Sequence, residues 1–173
     1  MRAAMELYDE RGFEQTTVGE IADRAGVTER TFFRYFADKR EVLFDGSHTM
    51  ERTAYEAIRT APDDAGPLDA ALAGMVAGGS LLKDDHEHAV RRSGIVAANP
   101  GLRERELLKL AAMADAATEA LGKRGVPEPT ASLAAHSAVT VFHVAFARWL
   151  AADEPPSFAD CVAEIAAALR ALM

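Results

Sequence analysis

A chain of 173 residues, 49% of them hydrophobic, is long enough to bury a sizeable core, as one domain or as a small domain beside a larger one. Its net charge of −8 argues against non-specific coating of nucleic acid, which depends on a broad positive field. A single cysteine, Cys161, excludes an internal disulfide and a cysteine-based zinc site, and without an apolar run of about 18 residues or a charged leader the expected location is the cytoplasm, with no membrane partner.

Glycines and prolines punctuate a helical periodicity, and no alternating pattern is long enough to make a strand, so the expected fold class is all-α with about nine helices. The first runs to Arg11 and stops at Gly12. Thr17 followed by Glu20 is a capping box that starts a second helix with Ile21 and Ala22 on its buried face. Gly26 supplies a sharp turn, Val27 is expected to drop into the core, and Thr28 caps a third helix. On that third helix Phe32 and Phe36 point inward, while Arg30, Thr31, Arg34 and Tyr35 fall on or near the outer side. Two short helices joined by such a turn are a helix-turn-helix, and an outer face of hydroxyls and guanidinium groups suits a DNA major groove. Four cations between residues 28 and 40 face two carboxylates, so the tip is slightly basic on an acidic body, which orients the molecule toward DNA. Thr28, Arg30, Thr31, Arg34 and Tyr35 are the candidate base and backbone contacts. Thr17 and Lys39, each at the amino end of a helix, are candidate phosphate contacts. The plainer alternative is a solvated face on a structural helix pair.

The run G-F-x-x-T-T-V-x-E-I-A-x-x-A-G-V-T, from Gly12 to Thr28, followed by T-F-F-R-Y-F and a lysine, resembles the tetracycline-repressor (TetR) family of bacterial regulators, closely from Gly12 to about Leu43. The resemblance implies three N-terminal helices that bind DNA, here residues 1–43, and a divergent helical domain that binds a small molecule and dimerises, here 44–173. Two departures bear on it. Phe33 stands where members commonly have a tyrosine whose hydroxyl reaches a phosphate, so any contact from it is apolar. Residues 1–8 match the second half of the family's first helix, so either the start is truncated or the basic leader of many members does not exist here.

Downstream, Asp38 and Glu41 open a fourth helix expected to reach about Ala61, where Pro62, Gly66 and Pro67 break it; this helix links the domains and is expected to swing when ligand enters. A fifth is expected over 68–82, a sixth from Asp84 or Asp85 to Ala98, and a seventh from Asn99-Pro100 to between Gly122 and Gly125. The eighth, from 127–130 to Ala152, is apolar nearly all round and must be covered on both sides. Ser157 with Asp160 caps a ninth, over 158–172. Phe146 and Trp149 on the eighth, with Val162, Ile165 and Leu169 on the ninth, are expected at or behind a four-helix homodimer interface, the alternative being that both helices complete a monomer core.

His86 and His88, two apart, lie on different sides of a helix and make no metal site, and no cofactor is implied. His136, Thr140 and His143 form a polar stripe that either lines a ligand pocket, hydrogen-bonds across a dimer, or is satisfied within the core or at the surface. Tyr55, Met75, Leu82, Met113 and Phe142 are further candidates for a mostly apolar pocket, and equally for core. The pair Gly78-Gly79 allows close packing or a bend. The sequence lacks a nucleophile elbow, a phosphate-cradling glycine loop and H-E-x-x-H, so no enzyme is expected. The expected function is a ligand-responsive transcriptional regulator: a repressor released from a palindromic double-stranded operator by a small hydrophobic or amphipathic effector. The alternative is a dimeric DNA-binding or scaffold protein that senses nothing.

Overall fold

The computed structural model describes residues 1–82 and 86–172, with Leu82 described in its backbone alone. Among these residues every regular element is helical: α1 (Arg2–Arg11), α2 (Val18–Ala25), α3 (Glu29–Tyr35), α4 (Ser47–Arg59), α5 (Pro67–Gly79), α6 (His86–Ala98), α7 (Pro100–Lys123), α8 (Thr130–Leu150) and α9 (Phe158–Arg170). They form two compact units. The first comprises Met1–Gly46 with Glu87–Leu107, and the second takes the remaining described residues.

In the first unit, Ala4, Met5, Leu7 and Tyr8 of α1 pack with Phe13, Ile21 of α2, Phe32 of α3 and the run Val42-Leu43-Phe44. Val42, Leu43 and Phe44 are all buried, and 41–44 is a tighter 3-10 turn rather than the start of an α-helix. Gly46, at φ +88°, then redirects the chain into α4. The expected single fourth helix is therefore two segments, and Asp38 just ahead of the 3-10 turn accepts from the Arg40 and Glu41 amides at 2.7 and 3.3 Å. Val27 also departs from expectation, being 40% exposed.

Two more buried side chains complete this core from far along the chain, Val96 of α6 and Leu102 of α7. Polar contacts reinforce them. Arg91 donates to Asp9 at 2.9 Å, Arg105 donates to Glu41 at 2.7 Å, and Arg92 donates to the Leu43 carbonyl at 2.6 Å and to Glu106 at 3.0 Å while lying over the Phe44 ring. The division drawn at residue 43 assigns 87–107 to the C-terminal part, whereas these residues pack with α1–α3.

The second unit is built around α5, which packs against α4, α8 and α9. Close approach requires its glycines. A Cβ on Gly74 would lie 2.4 Å from Ile58, and one on Gly79 would lie 2.1 Å from Phe158, so the close-packing expectation for Gly78-Gly79 is the one realised. α5 ends at Gly79, followed by a 3-10 turn at 80–82, and the expected start of the sixth helix lies outside the described residues. Ser157 caps α9 as expected, accepting from the Asp160 amide at 3.1 Å.

α8 is not covered all round. Ala131, Ala134, Ala135, Ala138, Val141, Phe142, Ala145 and Trp149 are buried, while Leu133, His136, Thr140, His143, Val144 and Ala147 are exposed. By length and composition α8 alone among the described helices is long and apolar enough to cross a membrane, with mean hydropathy 1.3, and its buried side is packed within its own unit against α5 and α9.

Candidate nucleic-acid interface

The geometry of the interface begins with local backbone chemistry. Thr17 and Glu20 form the full capping box: the Thr17 hydroxyl accepts from the Glu20 amide at 3.2 Å, and the Glu20 carboxylate accepts from the Thr17 amide at 2.8 Å. Hydrogen bonds from Thr17, and then the charge of Arg11 at 2.6 Å, hold the Glu20 carboxyl below its ordinary range. Gly26 takes the left-handed conformation at φ +69° and its amide bonds to α2 carbonyls, which ends α2 and lets the chain enter α3. The Thr28 hydroxyl accepts from the Thr31 amide at 3.1 Å and lies 3.0 Å from the Thr31 hydroxyl.

These caps fix which side chains α3 presents. Phe32 is buried and Phe36 is half-buried against the same core, 5.3 Å apart centre to centre. On the other side Arg30 is exposed and makes no hydrogen bond or ion pair with any described residue. The Arg34 guanidinium lies 4.9 Å from the centre of the Tyr35 ring and donates to its hydroxyl at 3.1 Å. Tyr35 is 70% exposed and Phe33 52% exposed. Thr28, Arg30, Arg34 and Tyr35 are thus each accessible along α3, with Thr31 half-buried among them. Phe33, which the missing hydroxyl argued against, is a large apolar surface on the same helix.

Lys39 stands apart. Its ammonium donates to the carbonyls of Phe13, Thr16 and Glu14 at 2.8, 2.9 and 3.2 Å and sits 4.4 Å from the centre of the Phe13 ring. Three ammonium hydrogens are matched by three carbonyls, so the side chain closes the turn between α1 and α2. Pairing of this kind, over 23 to 26 residues of separation, leaves no local pattern in sequence.

The other candidate residues do not assemble into one site. Met75, Met113 and Phe142 are buried in the second unit. Tyr55 lines an open cleft with Arg59, Asp63, Lys123 and Arg124. The Leu82 side chain lies outside what is described. His136, Thr140 and His143 point outward from α8, with His136 and Thr140 bonded to carbonyls one turn back at 2.9 Å, so they do not line a pocket within the chain. Trp149 and Val162 are buried in their own unit, while Phe146, Ile165 and Leu169 are half-buried. His86 is engaged by Trp149, its Nε2 lying 3.0 Å from the Trp149 carbonyl and its ring meeting the indole edge to face.

An exposed, capped recognition helix held by a small core defines a helix-turn-helix regulator. Residues 1–45 match the family of bacterial regulatory proteins of tetR type, and residues 65–173 match the MftR C-terminal domain. The chain belongs to the TetR family, whose members are DNA-binding transcription regulators and not enzymes. It is similar to the HTH-type transcriptional regulator TcmR of Streptomyces glaucescens, at 34% identity over 108 residues, 59% of this chain and 48% of that protein. The aligned part therefore spans about half the length of that relative. The fold is similar to that of Thermus thermophilus FadR, a transcriptional repressor solved in complex with lauroyl-CoA: 25% identity, TM-score 0.55, 98% of this chain and 90% of that one. Bacillus subtilis FadR, solved with stearoyl-CoA, is similar in fold at 21% identity and TM-score 0.63, covering 97% and 94% of the two chains.

Proposed function

We propose that the chain is a cytoplasmic, homodimeric repressor that leaves a palindromic operator when a small amphipathic effector binds. The observation that carries this reading is the α3 face, where Arg30 and Arg34 extend from a helix held by two caps and an aromatic core. Arginine pairs with guanine O6 and N7 through two hydrogen bonds, and an exposed phenyl such as Phe33 suits a thymine methyl or a sugar. Thr17, Thr28, Thr31 and Tyr35 place hydroxyls for phosphate contacts around this face.

Two such helices must meet successive major grooves about 34–36 Å apart, which requires a second copy. The exposed stripe on α8 supports that assembly: Leu133 and Val144 offer apolar contact, and His136, Thr140 and His143 offer hydrogen bonds across a two-fold axis. Ile165 and Leu169 of α9 lie beside the joint, with Phe146, Trp149 and Val162 supporting it from within.

For the effector, the acyl-CoA complexes of the two FadR proteins support an amphipathic molecule with a fatty chain. A ligand acts only through unequal affinity for the DNA-bound and released states. The test is operator selection followed by titration at fixed salt. Arg34→Ala is expected to cost about 1–3 kcal/mol and to relax preference at one operator position. Unchanged affinity and preference in both Arg34→Ala and Arg30→Ala would overturn the assignment. Lauroyl-CoA is expected to weaken operator binding, whereas a regulator that senses nothing would be indifferent to it.

A further inference from the structure

An open cleft of about 560 Å³ in the second unit is lined by Tyr55 and Arg59 of α4, Asp63 of the following loop, and Lys123 and Arg124 at the end of α7. Its charge is unlike that of the chain, which carries −8. Of its three cations, Arg59 is matched by a carboxylate, that of Glu56, at 3.0 Å. Arg124 donates to the carbonyls of Ala61 and Pro62 at 2.6 and 2.7 Å, which fixes the guanidinium and leaves its formal charge uncompensated. Lys123 is exposed and has no partner among the described residues. Asp63 is the one carboxylate in the lining, and the Tyr55 hydroxyl is 3.5 Å from Glu119 just outside it.

Capping of helix ends explains part of this arrangement. Arg124 neutralises carbonyls just past the end of α4, and Arg59 and Lys123 occupy last turns, where cations are favoured. It does not explain why two such ends converge on an open space with one ammonium unpaired. A bare carboxylate or inorganic anion would leave most of the space empty, since cavities of about 300–1,000 Å³ suit molecules of cofactor size. A fixed guanidinium and a free ammonium suit phosphate oxygens, the Tyr55 ring offers an aromatic face, and Asp63 accepts from hydroxyl or amino groups. We propose that this cleft binds the headgroup of an organic phosphate of nucleotide size. The proposal deepens the effector reading, on which its regulatory meaning rests, by placing the polar end of the effector at the α4 and α7 ends.

The test is calorimetry on the full chain with coenzyme A as probe and pantetheine, the same chain without the nucleotide phosphates, as comparison. Coenzyme A is expected to bind with an affinity that falls as salt rises, and pantetheine to bind far more weakly. Lys123→Glu, which breaks no contact among the described residues, is expected to weaken coenzyme A about tenfold by turning attraction into repulsion. Lys123→Gln is expected to lie between. Equal binding of the two probes, no binding of either, or equal affinity in the wild type and both variants would each overturn the proposal. Operator titration with lauroyl-CoA scores the effector reading separately. Release of operator without Lys123-dependent coenzyme A binding would sink the cleft alone. Lys123-dependent binding without release would sink the effector reading alone.

Discussion

The hydroxyl of Tyr8 donates to the carbonyl of Lys39 at 2.7 Å, while the ammonium of Lys39 reaches back to three carbonyls at 13–16. Lys39 is thereby tied through its carbonyl to Tyr8 and through its ammonium to the turn after α1, and both Tyr8 and Lys39 pack against the Phe13 ring. Burial, with the charge of Asp38 behind it, pushes the Tyr8 phenol well above its ordinary range, so it remains a donor throughout the working range of the protein.

Lys39→Met is accordingly expected to lower the stability of the first unit by about 2 kcal/mol, the scale of lost hydrogen bonds to a charged group. Operator affinity should fall with it, while the slope of log affinity against log salt stays as in the wild type. A phosphate contact would instead reduce that slope by about one. Thermal melts with operator titrations at several salt concentrations distinguish the two.

Acid should loosen the same unit. The Arg40 guanidinium, bonded to Asp38 at 2.9 Å, and the Arg40 amide hold the Asp38 carboxyl below its ordinary value of 3.8. A carboxyl depressed in the folded state stabilises it above the unfolded value, and that stabilisation is lost as pH falls through the folded value. Asp38→Asn is expected to lower stability at neutral pH and to flatten the acid limb below about pH 4. Denaturant midpoints between pH 7 and pH 3, compared with wild type, provide the check.

Gly79→Ala tests the packing of the second unit. Alanine in a helix is ordinarily favoured over glycine by up to about 1 kcal/mol. Here the added methyl would lie 2.1 Å from Phe158, so the sign is expected to reverse, with a loss of about 2 kcal/mol or more from overpacking. Urea unfolding measures it, and a stabilised variant would contradict the contact.

Assembly is tested most cleanly on the outer face of α8. Leu133 is 67% exposed and Val144 46% exposed, so aspartate at either position leaves the single chain's own core intact. Leu133→Asp and Val144→Asp are expected to remain helical, sediment as monomers and lose tight operator binding, since an unpartnered buried carboxylate at a joint is heavily penalised. A folded, dimeric and DNA-competent pair of variants would place the joint elsewhere.

What could be read in advance was local. The capping box at Thr17 and Glu20, the turn at Gly26 and the caps at Thr28 and Ser157 involve residues within four positions of one another, and all are present in the structure. Facing was harder. The alanines of α8 make its apolar pattern nearly uniform around the axis, so the polar stripe of His136, Thr140 and His143 did not by itself decide between pocket, joint, core and surface, and in the single chain it is exposed. Val27 is apolar but exposed, because apolar character does not require burial at a turn, and the break at Asp45-Gly46 rests on one glycine inside an otherwise helical pattern. The carbonyl cage around Lys39 and the attachment of Arg91 and Arg92 to residues up to 82 positions away leave no mark at helical spacing.

Because Val96, Leu102 and the arginines of α6 complete the first unit, the portable DNA-reading module is not a continuous N-terminal segment. A chimera that exchanged residues 1–46 alone would carry over one side of a core and leave the other side behind. Grafting this operator preference onto another regulator therefore calls for moving 87–107 together with 1–46, and the same coupling ties any sequence drift around Phe32 of the recognition motif to compensating change at Val96 and Leu102, far downstream.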